Sequence, residues 1–301
     1  MRSTEEHMSL KAWWIRYSWR KNDAKRDAGL TTPEDIERKD NISYGAHKMN
    51  VLDVYRPKNA TGKLPVIVSV HGGGWVYGDK ELYQHYCMSL AQRGFAVVNF
   101  TYRLSPEHKF PCHLEDTVKV FDWVLQHGEE YGFDVENVFA VGDSAGGHIL
   151  SLFCVMCSNP EYAAKYAFKV PERFMPKAVA LNCGVYNINP ESQPAGSTLT
   201  LMKKSILPKG GTDEELRAIS TVNFITEKFP PCYLMTANED FLREQPKDLM
   251  EKLDAVGVPY VYKLYGDETN VLGHVFHLDM YNETGKLCND EECAFFRNYI
   301  K

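Results

Sequence analysis

The sequence has no long hydrophobic run. Nowhere in its 301 residues does an apolar stretch approach the roughly 18 residues that a membrane-spanning helix requires. The first residues carry charges at Arg2, Glu5 and Glu6, and they lack the apolar stretch and small-residue cleavage site of a secretory signal. We therefore expect no stable membrane insertion and a cytoplasmic location.

An excess of positive charge is missing as well. The 34 lysines and arginines are outnumbered by 40 aspartates and glutamates, which gives a formal net charge of -6. Proteins that bind nucleic acid usually carry a basic patch that matches the phosphate charge. We expect no nucleic-acid partner. The sequence leaves the oligomeric state open, a homo-oligomer included.

Metal sites and disulfide frameworks also lack their usual signatures. None of the 10 histidines has the spacing of a zinc-binding motif. The 8 cysteines are spread over strand-like and helix-like segments of a large chain, and Cys154 and Cys157 lie in a helix-like segment where thiols commonly fill core space. We expect reduced thiols, no metal and no other cofactor.

The composition is that of one globular domain. With 44% hydrophobic and 25% charged residues, the chain is long enough for a single α/β core. From about residue 42, strand-like and helix-like segments alternate, which is typical of a mostly parallel central sheet flanked by helices. The predicted strands are 51–55, 66–70, 96–102, 138–141 and 260–265, and the predicted helices include 83–93, 114–127, 244–256 and 291–300.

The most informative motif is Gly-x-Ser-x-Gly at residues 142–146, which follows the apolar segment 138–141 and precedes the helix-forming segment 149–153. A serine on such a sharp strand-to-helix turn presents its hydroxyl above the sheet, and small flanking residues let the two backbones approach. Ser144 is the predicted nucleophile. The alternative is an ordinary Ser-Gly turn before a helix, because the pentapeptide also occurs by chance.

A glycine-rich loop favours the catalytic interpretation. The apolar segment 64–70 runs directly into His-Gly-Gly-Gly-Trp at residues 71–75. Acyl transfer needs backbone amides about 3 Å from the developing oxyanion, and glycines let the chain come that close. Gly73 and Gly74 are the predicted donors, together with the amide of Ala145. A flexible loop or a phosphate cradle is the alternative, but no lysine follows in Walker spacing.

With both motifs, the chain resembles the α/β-hydrolase superfamily, and within it the His-Gly-Gly-Gly esterases related to hormone-sensitive lipase and the bifunctional acetyl/feruloyl esterase-like group. Other matching segments are Leu-Asp-Val-Tyr-Arg-Pro at 52–57, residues 102–111 and Leu-Glu-Asp at 114–116. The resemblance covers roughly residues 50–300. It implies an α/β-hydrolase fold with cap elements, and a scaffold role for Arg103 and Asp116.

The resemblance also places a catalytic acid and then a histidine after the nucleophile. Asp240 follows the apolar segment 231–237 and is the predicted acid. Glu239 is its neighbouring rival. For either residue the structural alternative is to cap the helix 244–256, which needs an acceptor at its start.

The predicted base is His274, which follows the strand-like segment 260–265. The family reads His-Gly-Phe where this chain reads His-Val-Phe at residues 274–276, so the histidine and the phenylalanine are kept and the glycine is replaced. His277 lies three residues further on and is the alternative base.

Two segments are predicted to cover the active site of a single domain over residues 1–301. Residues 1–40 contain aromatics set among basic residues, with a helix ending near Gly29. They are interpreted as an N-terminal cap, with docking on the core or contact with a membrane surface as alternatives. Residues 184–229 interrupt the alternation with prolines and glycines. They are interpreted as a cap insertion, with a plain surface excursion as the alternative.

The sequence therefore predicts a serine carboxylesterase that hydrolyses short-chain acyl esters through an acyl-enzyme, without a cofactor. By resemblance, the substrates include acetyl or feruloyl esters of plant carbohydrates. An aryl formamidase or other amidase would use the same residues. A non-catalytic binding protein on the same fold is the third hypothesis, which the presence of Ser144, Asp240 and His274 disfavours. Fold alone does not decide among substrates.

Overall fold

The computed structural model describes residues 10–192 and 203–301 of the chain. Its strands are β1 Ile36–Ser43, β2 Val51–Pro57, β3 Leu64–Val70, β4 Ala96–Thr101, β5 Phe133–Asp143, β6 Val179–Asn182, β7 Cys232–Ala237 and β8 Tyr260–Tyr265. They form one sheet in the order β1-β2-β4-β3-β5-β6-β7-β8. β2 runs antiparallel to β1 and β4, and the other neighbouring pairs are parallel.

The middle strands form because their residues are apolar and β-branched on both faces. Along β3, Val66, Val68 and Val70 pack on one side of the sheet while Ile67 packs on the other, as the two-residue period of a strand requires. Parallel strands covered on both faces read as continuous hydrophobic runs. The run at 64–70 therefore marks a central strand of the sheet.

Helices cover both faces of the sheet. They are α1 Leu10–Arg26, α2 Lys80–Gln92, α3 Cys112–Gln126, α4 Gly128–Tyr131, α5 Ala145–Ser158, α6 Pro160–Ala163, α7 Asp213–Ala218, α8 Gln245–Val256 and α9 Glu283–Arg297. α2 and α9 bury Cys87 and Phe296 in one apolar cluster. α3, α5 and α8 bury Phe121, Phe153 and Leu249 in the cluster on the opposite face. These layers confirm the predicted α/β fold.

The differences from the predicted elements lie mainly at the edges of the sheet. β1 is absent from the predicted strands because only Ile36 is buried along it and the rest of its sequence is largely charged or polar. Of residues 1–40, Leu10–Arg26 form a helix and 36–40 belong to β1, while residues 1–9 lie outside the described part. α9 begins at Glu283, well before the predicted start at Glu291.

The segment 184–229 joins β6 to β7. Its described part contains α7 and two one-turn 3-10 helices, Pro190–Ser192 and Thr221–Asn223. Residues 193–202 of this predicted cap lie outside the described residues.

Two properties concern the chain as a whole. Among the described residues, no helix combines the length and the apolar character needed to cross a bilayer. Each cysteine is a free thiol, and all of them except Cys157 are buried.

Candidate active site

Ser144 lies on the turn between β5 and α5. Its backbone has φ 52° and ψ -118°, a conformation that is costly for a residue with a side chain unless the surroundings hold it. Glycine is required at the flanking positions, because a Cβ on Gly142 would lie 2.7 Å from the carbonyl oxygen of Gly146, and one on Gly146 would clash with the carbonyl oxygen of Val70. This is the strand-turn-helix geometry of a nucleophile elbow.

The loop after β3 brings backbone amides to the cavity that Ser144 lines. Gly73 and Gly74 have φ values of 110° and 59°, and a Cβ on Gly73 would clash with the carbonyl oxygen of Tyr77. Within residues 10–192 and 203–301, the amides of Gly73, Gly74 and Ala145 donate no hydrogen bond to another protein group. Ala145 begins α5, where the first amides have no intrahelical acceptor. These three amides are therefore left without a protein acceptor in the described part of the chain.

Trp75 anchors this loop to α5. Its indole Nε1 donates to Nδ1 of His148 at 3.2 Å, and Nε2 of His148 donates to the carbonyl of Ile219 at 2.7 Å. Burial, opposed by the bond to Ile219, lowers the pKa of His148 to about 4. The ring is therefore neutral near pH 7, and its Nδ1 accepts the indole proton. A loop held in this way keeps its amides in place without reorganisation during a reaction.

Histidine stacking holds the start of the same loop. The ring of His71 stacks on Tyr102 with ring centroids 3.9 Å apart. Nδ1 of His71 donates to the carbonyl of Gly72 at 2.7 Å, and the hydroxyl of Tyr102 donates to the carbonyl of His71 at 2.9 Å. Burial lowers the pKa of His71 to about 4, so this ring is also neutral near pH 7 and has a structural function.

Asp240 and His274 form a hydrogen-bonded pair beyond the carboxyl ends of β7 and β8. Nδ1 of His274 lies 2.9 Å from each carboxylate oxygen of Asp240. The amide of Leu242 donates to the same carboxylate at 2.7 Å. Because Nδ1 carries the proton in this contact, Nε2 of His274 keeps the lone pair that a general base needs. His274 lines the same cavity as Ser144.

The carboxylate of Asp240 is stabilised in its ionised form. Burial by itself raises the pKa of Asp240, but hydrogen bonds and charge from His274, the thiol of Cys183 and the amide of Leu242 outweigh burial and hold the pKa below its usual value. An ionised carboxylate fixes the tautomer of the imidazole and stabilises the imidazolium that forms when the base takes a proton.

The same cluster contains the donor atoms of a potential metal site. The sulfur of Cys183, a carboxylate oxygen of Asp240 and a ring nitrogen of His274 lie within 4.8 Å of one another, the one such group found in the described part of the chain. In this structure the carboxylate of Asp240 accepts hydrogen bonds from both His274 and Cys183. Hydrogen bonding therefore accounts for the arrangement.

The two rival residues lie elsewhere. Glu239 is exposed. His277 is fully buried and packs edge-on against Tyr86 with ring centroids 5.2 Å apart, and neither of its ring nitrogens has a hydrogen-bond partner. Burial lowers the pKa of His277 to about 3. The structure thus brings Asp240 and His274 together and leaves Glu239 and His277 apart from them.

Arg103 and Asp116 form an ion pair beneath the neighbouring loop. The guanidinium donates to Asp116 through Nε at 2.9 Å and through Nη2 at 2.7 Å, and the backbone amide of Arg103 donates to the same carboxylate at 2.9 Å. Asp116 is fully buried. A bidentate pair of this kind fixes the loop after β4 to α3.

The cavity has a volume of about 480 Å³. One wall is the glycine loop with Tyr77 and Tyr83, and another comes from α1 with Trp19, Asp23 and Arg26. Val185, Phe241 and Leu278 complete the apolar lining. This size and mixed lining are typical of a site for a small ligand.

α1 is fixed at this cavity by hydrogen bonds to the loops below it. Arg16 donates to the carbonyl of Val76 at 2.7 Å, to the carbonyl of Ser105 at 2.9 Å and to the carboxylate of Glu107 at 2.8 and 2.7 Å. The hydroxyl of Tyr77 donates to Asp23 at 2.5 Å. The helix therefore forms part of the cavity wall.

Three residues of the site escaped the sequence analysis. Tyr83 lines the cavity, Asp143 lines it directly before the nucleophile, and Cys183 contacts Asp240. Asp143 lies inside the Gly-x-Ser-x-Gly motif, so its position was visible in the sequence. Tyr83 and Cys183 reach the site only through tertiary contacts, and their local sequence carries no corresponding signal.

Comparison with known proteins gives a consistent set of relatives. The BD-FAE family matches residues 52–253. Esterase LipC of Mycobacterium tuberculosis is 28% identical over 79% of this chain, and the versiconal hemiacetal acetate esterase of Dothistroma septosporum is 27% identical over 70% of it. The chain spans 59% of the length of LipC and 67% of the length of the Dothistroma enzyme.

Solved structures agree over almost the full chain. An inhibited esterase B from Lactobacillus rhamnosis superimposes with a TM-score of 0.86 at 27% identity, covering 97% of both chains. An esterase from Pyrobaculum calidifontis superimposes with a TM-score of 0.79 at 23% identity, covering 97% of this chain and 94% of that one. The second likeness concerns the fold alone.

Proposed function

The chain belongs to the BD-FAE family and has the α/β-hydrolase fold of its esterase relatives, and we propose that it is a serine carboxylesterase acting on short-chain acyl esters. The observation that carries the proposal is the hydrogen-bonded pair of Asp240 and His274, which opens on the same cavity as the elbow residue Ser144. This is the constellation of nucleophile, base and orienting acid that acyl transfer uses.

The reaction proceeds through an acyl-enzyme. The hydroxyl oxygen of Ser144 attacks the ester carbonyl carbon while Nε2 of His274 takes the hydroxyl proton. The carbonyl oxygen becomes an oxyanion, which accepts hydrogen bonds from the amides of Gly73, Gly74 and Ala145. His274 then returns the proton to the departing alcohol, and the acyl group stays on Ser144. A water molecule then attacks the acyl carbon while His274 takes one of its protons; the bond to the oxygen of Ser144 breaks, His274 returns the proton to that oxygen, and the carboxylic acid leaves.

The proposed acyl groups have about two to four carbons. Aromatic side chains and residues of α1 line the cavity beside Ser144, and we expect them to limit the length of the acyl chain. One relative is an acetate esterase by name, and another structure of the Lactobacillus esterase B is of the enzyme inhibited by a tributyrin phosphonate. Acetyl or feruloyl esters of plant carbohydrates are the proposed natural class, in keeping with the BD-FAE family.

α1 and the segment 184–229 are proposed to act as caps. The support for α1 is its place in the cavity wall and its attachment through Arg16. The support for the segment 184–229 is Val185, which lines the cavity.

The test of the proposed activity is a hydrolysis panel with purified protein. It contains p-nitrophenyl acetate, butyrate and octanoate, methyl ferulate, acetylated xylan and N-formylkynurenine. We expect turnover of the esters, with higher kcat/KM for acetate or butyrate than for octanoate. A preference for N-formylkynurenine would replace the esterase proposal by a formamidase, and turnover of no compound would indicate a binding protein.

The nucleophile is tested by Ser144→Ala. Removal of a triad residue typically lowers kcat by on the order of 10⁴-fold or more. The matched control is Ser158→Ala at the far end of α5, whose hydroxyl donates to the carbonyl of Cys154 at 2.9 Å. We expect the control to keep wild-type turnover. Near wild-type kcat in Ser144→Ala would contradict the assignment.

A further inference from the structure

We infer that Tyr83 is a positioning residue that fixes the oxyanion loop to the nucleophile elbow. The amide of Gly72 donates to the hydroxyl oxygen of Tyr83 at 2.8 Å, and that hydroxyl donates to Oδ2 of Asp143 at 2.8 Å. We call this chain of two hydrogen bonds the Tyr83 bridge. The inference rests on the proposed function, because it concerns how the amides of Gly73 and Gly74 are held.

The two ends of the Tyr83 bridge are next to the two halves of the machinery. Gly72 directly precedes Gly73 and Gly74, and Asp143 directly precedes Ser144. The side chain that joins them comes from α2, a separate element from the strands that end near Gly72 and Asp143. One hydroxyl thus connects the segment of the predicted oxyanion donors directly to the segment of the nucleophile.

The groups of the Tyr83 bridge are buried and tightly packed. Tyr83 is 6% exposed and Asp143 is 3% exposed. A Cβ on Gly72 would lie 2.5 Å from Oδ2 of Asp143 and 2.9 Å from the hydroxyl oxygen of Tyr83, so residue 72 has room only for glycine. Tyr83 belongs to the first turn of α2, which is itself capped by Asp79 through a bond to the amide of Leu82. Tyr83 is therefore held by a capped helix and Asp143 by the end of β5.

Loss of the Tyr83 bridge would act on the transition state. An oxyanion hole needs its donors 2.7–3.1 Å from the oxyanion, and removal of a whole donor lowers kcat by about 10²–10³-fold. Tyr83→Phe keeps the donors but removes one of the contacts that hold their loop, and the contacts of Trp75 and His71 remain. We therefore expect a smaller loss in kcat, about 10-fold, with KM within about 2-fold of the wild type.

The acceptor end of the Tyr83 bridge, the carboxylate of Asp143, is charged at pH 8. Burial raises the pKa of Asp143 to about 6, opposed by the hydrogen bond from Tyr83 and by the charges of His274 and Arg26. At pH 8 the carboxylate is ionised and accepts the hydroxyl proton of Tyr83. Kinetic and binding measurements at pH 8 therefore compare variants with the Tyr83 bridge fully formed in the wild type.

The deciding experiment uses a trifluoromethyl ketone with a short alkyl chain. The hydroxyl oxygen of Ser144 adds to the ketone carbon, its proton passes to His274, and the former ketone oxygen takes the place of the oxyanion. The reduced trifluoromethyl alcohol of the same shape forms no adduct and serves as the ground-state ligand. The dissociation constant of each compound is measured for the wild type, Tyr83→Phe and Tyr86→Phe.

Tyr86→Phe is a closely matched control. Tyr86 lies on the same helix, is 3% exposed, and donates its hydroxyl to a buried carboxylate, that of Glu292, at 2.8 Å. It does not line the cavity. Both variants therefore remove one buried hydroxyl from α2 and leave one buried carboxylate with one donor fewer.

We expect Tyr83→Phe to weaken ketone binding about 10-fold, in parallel with its loss of kcat, while alcohol binding is unchanged. Tyr86→Phe should bind both compounds like the wild type. Equal ketone affinity in Tyr83→Phe and the wild type would overturn the role of Tyr83. Failure of the wild type to form the ketone adduct would instead overturn the proposed function, so the two failures are distinguishable.

Hydrogen exchange provides a readout independent of activity. The Gly72 amide is bonded to the Tyr83 hydroxyl in the wild type, so its exchange reports the Tyr83 bridge directly. We expect amide exchange in the peptide that covers residues 72–74 to be at least about 10-fold faster in Tyr83→Phe and unchanged in Tyr86→Phe. Unchanged protection in Tyr83→Phe would show that the loop is held without the tyrosine.

Discussion

Replacement of Glu292 by glutamine is expected to make the protein more stable at alkaline pH than the wild type. Glu292 lies on α9 and is fully buried. Its carboxylate accepts the hydroxyl of Tyr86 at 2.8 Å and the side-chain amide of Asn182 at 2.6 Å. The carbonyl of Asn182 in turn accepts the amide of Ser144 at 3.0 Å. The carboxylate therefore lies beneath the elbow, where no lysine or arginine is bonded to it within the described residues.

The magnitude follows from linkage between proton binding and folding. Burial, opposed by the bonds from Asn182 and Tyr86, raises the pKa of Glu292 from 4.5 to about 7. The raised pKa means that the protonated form stabilises the fold below pH 4.5, and that this stabilisation is lost as pH rises through 7. The full effect is about 3 kcal/mol, of which about 2.5 kcal/mol falls between pH 5 and pH 8. Glutamine resembles the protonated form at every pH.

The assay is chemical unfolding of the wild type and Glu292→Gln at pH 5, 6, 7 and 8. The free energy of unfolding of the variant, relative to the wild type, should rise by about 2.5 kcal/mol from pH 5 to pH 8. Glu283→Gln is the control, because this residue lies on the same helix with its side chain 85% exposed, and its difference from the wild type should stay flat. A constant difference for Glu292→Gln across this range would show that Glu292 does not titrate with a raised pKa in the folded protein.

Other expectations address the base, the acid and the cap. His274→Ala should lower kcat about as much as Ser144→Ala, with little further loss in the double mutant. His277→Phe should keep most activity, because His277 makes no hydrogen bond through its ring. Steady-state kinetics on p-nitrophenyl acetate checks both variants, and an inactive His277→Phe with an active His274→Ala would contradict the assignment of the base. Asp240→Asn should lower kcat by about 10³–10⁴-fold, since an amide no longer fixes the imidazole tautomer. Arg16→Leu should raise the kcat/KM ratio of octanoate to acetate by loosening α1, and an unchanged ratio would remove the helix from chain-length selection.

Much of the central sheet could be predicted because its signals are local. The run at 64–70 and the alternation after it reflect strands buried on both faces, and such strands must be apolar along their whole length. The elbow was equally visible, since only glycine fits at 142 and 146. β1 was missed because an edge strand with one buried side chain has no need of an apolar pattern.

The residues of the site could be predicted where a sequence motif or the family resemblance indicated them. Ser144 and the glycine loop follow from their motifs, and the resemblance ordered Asp240 before His274. The positions of His274 and His277 depend on a loop in which Val275 has a positive φ of 55°. A valine in the sequence does not indicate such a conformation. The Tyr83 bridge joins positions 72, 83 and 143 through tertiary packing alone, so the sequence offered no indication of it.

Covalent labelling tests directly whether Ser144 is the nucleophile activated by the pair of His274 and Asp240. A fluorophosphonate reacts with an activated serine and leaves a covalent adduct, which intact-mass spectrometry counts and peptide mapping locates. We expect one adduct on the wild type, located at Ser144, with much slower labelling in His274→Ala and none in Ser144→Ala. Stoichiometric labelling of Ser144→Ala, or an adduct on any other residue of the wild type, would contradict this assignment.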